Sequence, residues 1–203
     1  MRQLPLPISA AAQPTLDNYV VGANAEAVER VRAVVRGHDK EPIVYLWGEP
    51  GCGRTHLLNA AARANPAIVI ADDVEALDTA AQQALFIAIN AAREGGPAVL
   101  AAGNAPPVRL DLREDLRTRL GWGLVYHLKP LTDGDKAVYL RTEAARRGLA
   151  LADDVVAYLL NHLPRDVASL HGVLERIDRH ALARQRALTL PLVREALSNF
   201  NDD

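Results

Sequence analysis

Apolar residues follow two patterns along the chain, one with the spacing of an amphipathic helix and one of short continuous runs. From Ala25 to Val35 the apolar residues recur at the three- and four-residue spacing of an amphipathic helix, which Gly37 ends. Short apolar runs beside proline, glycine or aspartate predict four buried strands, at Ile43 to Trp47, Ala67 to Ala71, Ala98 to Ala102 and Leu124 to Leu128. Helical patterns fill the intervals at 54–64, 79–93 and 112–119. This alternation predicts an α/β fold with a parallel sheet covered by helices on both faces.

After Pro130 the pattern becomes purely helical. Thr132 and Thr189 suit helix N-caps, and Pro191 suits a first helical turn. Helices without strands between them are predicted at 133–147, 153–162, 165–184 and 190–198. The sequence therefore predicts three parts, which are a proline-containing extended tail over 1–14, an α/β domain over 15–130 and a small all-α domain over 131–203.

Composition narrows the class of protein. The chain has 203 residues, of which 49% are hydrophobic, and its formal net charge of −2 gives no general reason to bind nucleic acid. One cysteine, Cys52, cannot form an internal disulfide, which favours a reducing compartment. No apolar run approaches the roughly 20 residues that span a bilayer, and residues 1–15 lack a secretory pattern. We expect a soluble, cytoplasmic protein without a membrane partner.

The stretch WGEPGCGRTHLL, from Trp47 to Leu58, fits a phosphate-binding loop between a strand and a helix. The glycines allow backbone amides to converge on phosphate at the positive end of the helix, and the Thr55 hydroxyl suits Mg²⁺. Arg54 replaces the usual lysine. Its charge should preserve binding, while its bulk should weaken intrinsic hydrolysis. A purely structural glycine-rich turn remains the alternative. The candidate ligand-binding residues are Gly48, Pro50, Gly51, Cys52, Gly53, Arg54, Thr55 and His56.

An acidic pair ends the second predicted strand. Parallel strands bring their carboxyl ends to one edge of a sheet, so Asp72 and Asp73 should face the loop. Asp72 and Thr55 are the candidate metal positions, and Asp73 is a candidate for polarising an attacking water. A loop or helix cap is the alternative role for this pair. Cys52 has no partner base in the local sequence, so we discount it as a nucleophile.

Several stretches together resemble one family. In chain order they are TLDNYVVGANAEA, GEPGCGRTHLL, VIADDVEAL, VLAAGNAPP and LRTRLGWGL, and they resemble the replication initiators of the DnaA type within the AAA+ ATPases. The resemblance implies a P-loop AAA+ fold with a helical lid, an adenine nucleotide, with ADP favoured over ATP, and Mg²⁺. It also implies that Val20 and Val21 border the adenine, that Asn104 is the first sensor and that Arg119 is an arginine finger, which completes a neighbour's site.

Three features are more similar to the regulatory members of that family than to the initiator. The sequence ends after the lid-like helices, so we expect no helix-turn-helix DNA-binding domain. Arg54 is followed by Thr55 and His56, as in those regulators. The segment QLPLP resembles their docking motif for the sliding clamp, with Gln3, Leu4, Leu6 and Pro7 as the binding residues. A proline-stiffened peptide loses little entropy on docking. Without the resemblance, this segment reads as a disordered tail.

Two departures from the family pattern concern the sheet and the lid. The sequence passes from Asn65-Pro66 directly into the second predicted strand, whereas the family usually has another strand and helix between them. We therefore expect a shortened sheet that lacks an edge strand. In the lid, Ala168 stands where the family has its second sensor arginine, and Arg165 about one turn earlier is the candidate substitute.

The resemblance implies a negative regulator of replication initiation. Such a protein docks on the DNA-loaded clamp, the β subunit of DNA polymerase III, meets DNA only through it, and presents Arg119 to ATP held by DnaA. Weak or absent intrinsic ATPase activity and a homodimer are compatible with this reading. The alternatives are an autonomous AAA+ ATPase, and a loader or adaptor in DNA replication.

Overall fold

A computed structural model describes residues 13–38, 40–162, 167–184 and 189–198. It divides the chain into two compact units, one from Pro14 to Pro130 and a helical one from Leu131 onward. Among the described residues, every helix is too short or too polar to cross a membrane.

The first unit is built on a parallel sheet of four strands. These are β1 (Ile43–Trp47), β2 (Val69–Ala71), β3 (Val99–Gly103) and β4 (Leu124–His127). Their order is β2-β3-β1-β4, so β1 and β3 form the centre. Every residue of β3 is buried, as are the first four of β1. Their sequences are continuous apolar runs for that reason, because a central parallel strand is covered on both faces.

Helices cover both faces of this sheet, as predicted. They are α1 (Ala25–Val35), α2 (Arg54–Ala64), α3 (Thr79–Arg93) and α4 (Glu114–Leu120), with 3₁₀ turns at Val74–Ala76 and Pro107–Arg109. Successive strand residues face opposite sides. Val44 and Leu46 therefore pack in one core with α1 and α2, whereas Ile43 and Tyr45 pack in the other with α3 and α4.

The element boundaries differ from the predicted ones by up to two residues. β2 begins at Val69 rather than Ala67, because the Asn65 side chain accepts the Ala67 amide at 3.1 Å and turns the chain there. The predicted helix over 112–119 is α4, which begins at Glu114. β3 runs one residue further than predicted, to Gly103, and β4 ends one residue earlier, at His127.

The β2 edge is short and partly open. All three residues of β2 are only half-buried, and β3 is its sheet neighbour. Within the described ranges no further strand pairs with it. The sheet thus lacks a further strand beside β2, where the direct passage from Asn65-Pro66 into that strand predicted the loss. A three-residue edge presents few unpaired backbone groups, which limits unintended strand pairing.

The second unit is helical and has its own core. Its described helices are α5 (Asp133–Arg146), α6 (Asp153–His162), α7 (Val167–Arg184) and α8 (Leu190–Ser198). The core includes Leu140 of α5, Leu159 of α6 and Leu174 of α7. The N-cap prediction at Thr132 is confirmed, because its hydroxyl accepts the Asp135 amide at 3.1 Å and the Asp135 carboxylate accepts the Thr132 amide at 3.0 Å.

Asn24 fastens the segment before α1 to the chain that leaves β4. It is one of two polar residues among the described ones that are fully buried, with 4% of its surface exposed. Its side-chain nitrogen donates to the Lys129 carbonyl at 2.9 Å, and its side-chain oxygen accepts the Lys129 amide at 2.8 Å. One amide thus satisfies both backbone groups of a residue 105 positions away.

We expect Asn24→Ala to lower the free energy of unfolding of this unit by about 1–3 kcal/mol, because both backbone groups of Lys129 lose their partner. Urea denaturation followed by circular dichroism measures the change. Asn59→Ala is the matched control, since Asn59 is exposed on α2 and should leave stability nearly unchanged. Equal stability of the two variants would contradict this role for Asn24.

Candidate phosphate-binding site and a separate arginine surface

The loop between β1 and α2 has a backbone that only glycine accommodates at several positions. Gly51 and Gly53 have φ angles of 82° and 96°, in the left-handed region. At Gly48 a Cβ atom would overlap the carbonyl oxygen of Leu128 and the sulfur of Cys52. The first amides of α2 have no intrahelical acceptor, so the helix directs donors and its positive end at the loop. Such a concave set of amides can hold an anion.

Arg54 is the first residue of α2, and its side chain is mostly buried. Its Nη2 atom lies 3.5 Å from a carboxylate oxygen of Asp73, and the side chain is 11% exposed. Its Nη1 atom is buried and has no hydrogen-bond partner among the described residues. A buried, unmet guanidinium donor is unfavourable unless an anion reaches it. The loop therefore fits a phosphate group, which would bring that anion.

Thr55 and Asp72 come together beside the loop. The Thr55 hydroxyl donates to one oxygen of Asp72 at 2.6 Å, while the other oxygen accepts the Asp73 amide at 2.9 Å. The described residues contain no cluster of three His, Cys, Asp or Glu that could hold a metal. Mg²⁺ commonly takes one or two protein oxygens and completes its shell with phosphate and water. The pair fits that requirement once a phosphate is bound.

Asp73 has a backbone that is rare for a residue with a side chain. Among the described residues it is the one non-glycine position with positive φ, at 43°. Such conformations cost energy and cluster at functional sites, although aspartate tolerates this one better than most residues. The turn directs the Asp73 carboxylate toward Arg54. In this arrangement the carboxylate that was predicted to polarise water is engaged by a guanidinium.

Two residues that the sequence did not single out fix the segment after β3. The Glu75 carboxylate accepts the Asn104 amide at 3.2 and 3.3 Å, and the Tyr45 hydroxyl donates to the Ala105 carbonyl at 2.8 Å. Burial, and then the charge of Glu75, raise the pKa of Tyr45, which therefore stays a donor. A Cβ at Gly103 would overlap the Tyr45 hydroxyl. Asn104 is exposed at the carboxyl end of β3, the edge that carries the loop.

The segment before α1 is attached to the loop. Tyr19 donates to the Cys52 carbonyl at 3.2 Å, and Nε2 of His56 lies 3.0 Å from the Thr15 carbonyl. The Tyr19 and His56 rings meet edge to face at 5.5 Å. Burial chiefly raises the pKa of Tyr19 to about 12. Val20 and Val21, predicted to border adenine, are half-buried in this attached segment.

Arg119 lies away from the loop. It is in the last turn of α4, and Gly123 just after it packs against Ile43, the first residue of β1. The loop follows the last residue of β1, Trp47. A five-residue strand separates the two ends by roughly 13–16 Å. The structure thus gathers the loop, the acidic pair and Asn104 at the carboxyl ends of the strands. Arg119 lies near their amino ends.

The half-buried Arg119 guanidinium is held by α3 and by Trp122, which lies two residues before β4. Its Nε donates to the Asn90 side chain at 2.6 Å. Its central carbon lies 4.1 Å from the Phe86 ring centre and 4.7 Å from that of Trp122. Sequence reasoning missed these three residues. Phe86 and Asn90 are four positions apart on one helical face, a spacing that is visible in the sequence but is equally typical of a packed helix.

Five of the predicted binding positions lie outside the part of the chain that the structure describes. They are the clamp-binding residues Gln3, Leu4, Leu6 and Pro7, and the substitute sensor Arg165. Ala168 lies within α7.

The parallel sheet with its loop, followed by a helical unit, defines a P-loop protein of the AAA+ fold. The chain is similar to domain III of the DnaA replication initiation protein from Thermotoga maritima, with 18% identity over 96% of this chain and 99% of that one, and a TM-score of 0.76. It is also similar to AMPPCP-bound DnaA from Aquifex aeolicus, with 20% identity over 81% of this chain and 64% of that one, and a TM-score of 0.70. The RuvB Holliday junction branch migration motor from Thermotoga maritima has 16% identity over 94% of this chain and 73% of that one, with a TM-score of 0.67. These likenesses confirm the predicted fold class.

The family comparison goes further for the helical unit. Residues 133–197 match the family described as Hda, lid domain. The helical unit therefore resembles an Hda lid, and this match agrees with the DnaA-like fold of the whole chain. The resemblance read from the sequence is thereby confirmed.

We expect Cys52 to react slowly with thiol reagents in the folded protein. The side chain is buried, with 5% of its surface exposed, and burial raises the pKa of its thiol. Alkylation at pH 8 should be at least about tenfold slower than in urea-unfolded chain. The free energy of unfolding should fall as the pH rises above the thiol's usual pKa, since the unfolded chain ionises first. Equal alkylation rates would contradict the buried placement.

Proposed function

We propose that this protein is a regulator of replication initiation that binds an adenine nucleotide and stimulates hydrolysis of ATP held by DnaA. The observation that carries the proposal is the position of Arg119, which is held in place at the edge of the sheet opposite the chain's own phosphate loop. An arginine so placed does not serve its own loop, whereas it can neutralise charge on a phosphoryl group bound by a neighbour. We place the protein in the cytoplasm, where DnaA acts.

The chain's own loop would bind the nucleotide phosphates. The left-handed glycines, the helix start at Arg54 and the buried Nη1 atom of that residue support this role. One related structure, that of DnaA from Aquifex aeolicus, holds AMPPCP. Val20 and Val21 would border the adenine, since their segment is attached to the loop through Cys52 and His56.

Mg²⁺ would be held by Thr55 and Asp72, which already lie within 2.6 Å of each other. The bound ion would supply positive charge to the phosphates. Asn104, held at the same edge through Glu75, would contact the terminal phosphate. Asp73 would be the residue that polarises water. The contact between Arg54 and Asp73 makes this carboxylate less available to water and offsets part of the guanidinium charge. Both effects would favour ADP over ATP and would make turnover weak.

Docking on the DNA-loaded sliding clamp would occur through Gln3, Leu4, Leu6 and Pro7. The support is the QLPLP sequence, in which two leucines can fill an apolar pocket while the prolines limit the entropy lost on binding. Clamp docking would raise the local concentration of this protein near DnaA on DNA. The chain itself would meet DNA only through the clamp. Self-association into a homodimer would use the same faces that meet DnaA.

An autonomous AAA+ ATPase is the second candidate, favoured by Thr55, Asp72, Asp73 and Asn104 at one edge of the sheet. Incubation of the protein alone with ATP and Mg²⁺ separates the two. Brisk turnover without DnaA would favour the ATPase, and a loader or adaptor would leave the hydrolysis of ATP by DnaA unchanged.

We expect Arg54→Ala to weaken binding of ADP by about ten- to a hundredfold, because a charge-assisted hydrogen bond contributes roughly 1.5–3 kcal/mol. Arg54→Lys should bind within a few fold of the unaltered protein, since it keeps the charge. Isothermal titration calorimetry with ADP and Mg²⁺ measures both, with Asn59→Ala on the same helix as control. Unaltered affinity in Arg54→Ala would exclude a phosphate role for the guanidinium.

We expect Arg119→Ala to abolish most of the stimulated hydrolysis, by about a thousandfold or more, as for other arginine fingers. The assay follows phosphate release from ATP-loaded DnaA with DNA-loaded clamp. Arg36→Ala, an exposed arginine that follows α1 in the other helical layer, is the control.

Measuring clamp binding distinguishes the proposed role of Arg119 from that of the N-terminal segment. A clamp pull-down should retain Arg119→Ala and lose a variant without residues 1–8. Full stimulation by Arg119→Ala would refute the finger, and clamp binding by the truncated chain would refute the docking motif.

A further inference from the structure

Trp122 is exposed to an unusual degree for a tryptophan that is held so firmly. It has 44% of its surface exposed, and its ring lies 4.7 Å from the guanidinium carbon of Arg119 and 4.5 Å from that of Arg93. Each is within the distance of a cation–π interaction, for which tryptophan is the strongest partner. The ring thus contacts two cations while much of its surface stays open to solvent.

The backbone around Trp122 is fixed on both sides. Its amide donates to the Arg119 carbonyl at 3.1 Å, and the Gly121 amide donates to the Thr118 carbonyl at 3.2 Å. A Cβ at Gly123 would overlap Ile43, so the chain passes directly against the first residue of β1. The indole is therefore presented from a short turn that is tied to α4 and to the central strand.

Arg119 would be mobile without such contacts. An arginine side chain carries about 2 kcal/mol of rotamer entropy, and ordering it at the moment of binding subtracts from the interaction that it makes. Asn90 accepts from Nε alone, which fixes one point of the guanidinium. The Phe86 and Trp122 rings lie 4.1 and 4.7 Å from its central carbon and are the further contacts that can orient it. In the described part of the chain no hydrogen bond engages the Nη atoms, which are the pair that can grip two oxygens of one anionic group.

We propose that Trp122 is the positioning residue for Arg119, and that its indole holds the guanidinium plane so that the Nη pair is presented in advance to a phosphate of the partner. This inference rests on the function proposed above. Trp122 acts through Arg119 and touches no reacting atom. Its contribution should therefore appear in kcat of the stimulated reaction rather than in affinity for DnaA, because misplacement of a finger lowers the rate within a complex that still forms.

The contact is tested first on this protein alone. A ring stacked on a guanidinium shifts the resonance of the Arg119 Nε proton upfield, so nitrogen-15 NMR should show that resonance displaced in the unaltered protein. In Trp122→Leu it should move downfield, and in Trp122→Phe only part of the way. A thermal melt establishes that Trp122→Leu is folded. An unchanged resonance in folded Trp122→Leu overturns the proposal.

The consequence is tested in the hydrolysis assay with DnaA and DNA-loaded clamp. Trp122→Leu should lower kcat about tenfold, as expected for losing a cation–π contact that orients the finger, with KM for ATP-loaded DnaA within about twofold. Trp122→Phe should recover most of kcat. The control is Val108→Ala, an exposed apolar residue of the 3₁₀ turn before α4.

Two results separate this proposal from the function on which it rests. A rise in KM with unchanged kcat in Trp122→Leu would make Trp122 a partner contact and overturn the positioning role. No stimulation by the unaltered protein would overturn the proposed function, whereas the NMR result would still decide whether Trp122 orders Arg119.

Discussion

The parallel pairing of β1 with β3 and β4 is the interaction on which both candidate surfaces depend. Trp47 lies opposite Gly103 on one side and His127 on the other, so the carboxyl ends of all three strands are level. The loop after β1 and the segment after β3 must therefore leave the sheet side by side. The same register sends the chain from α4 to the opposite edge, next to Ile43. One set of backbone hydrogen bonds thus brings the residues of the candidate phosphate site together and also keeps Arg119 away from them.

The loop depends further on the segment that precedes α1. Tyr19 lies against Gly53, where a Cβ would overlap the tyrosine ring, and its hydroxyl reaches the Cys52 carbonyl. Asn24 ties the same segment to Lys129 after β4. The region predicted to border adenine is therefore attached at the carboxyl ends of two strands, β1 and β4. Changes in the loop can reach that region through direct contacts, without any rearrangement of the strands.

The order of elements was predictable from the sequence because each strand is an apolar run bounded by a turn residue. The loop and the acidic pair were predictable because their residue types are restricted by chemistry at fixed spacing. Glu75, Tyr45 and Asn24 were not, since each acts on backbone groups that are distant in the chain, and no local pattern marks such a partner. Phe86 reads as an ordinary core aromatic, and only the packing of α3 against α4 brings it to Arg119. Trp122 is three positions after Arg119, but nothing in the sequence distinguishes it from a surface aromatic.

The replacement of lysine by Arg54 connects the two surfaces. A lysine at this position presents a point charge that can follow a terminal phosphate, whereas the planar guanidinium has two ends that can be engaged separately. Here one end contacts Asp73 and the other is buried without a described partner. A phosphate that satisfied the free end would not need to displace Asp73, so binding and turnover become separable in this site. Under the proposed function, a site that holds its own nucleotide without hydrolysing it suits a protein whose distant arginine serves a partner's nucleotide. The presence of Arg54 in the loop and the placement of Arg119 both support that proposal.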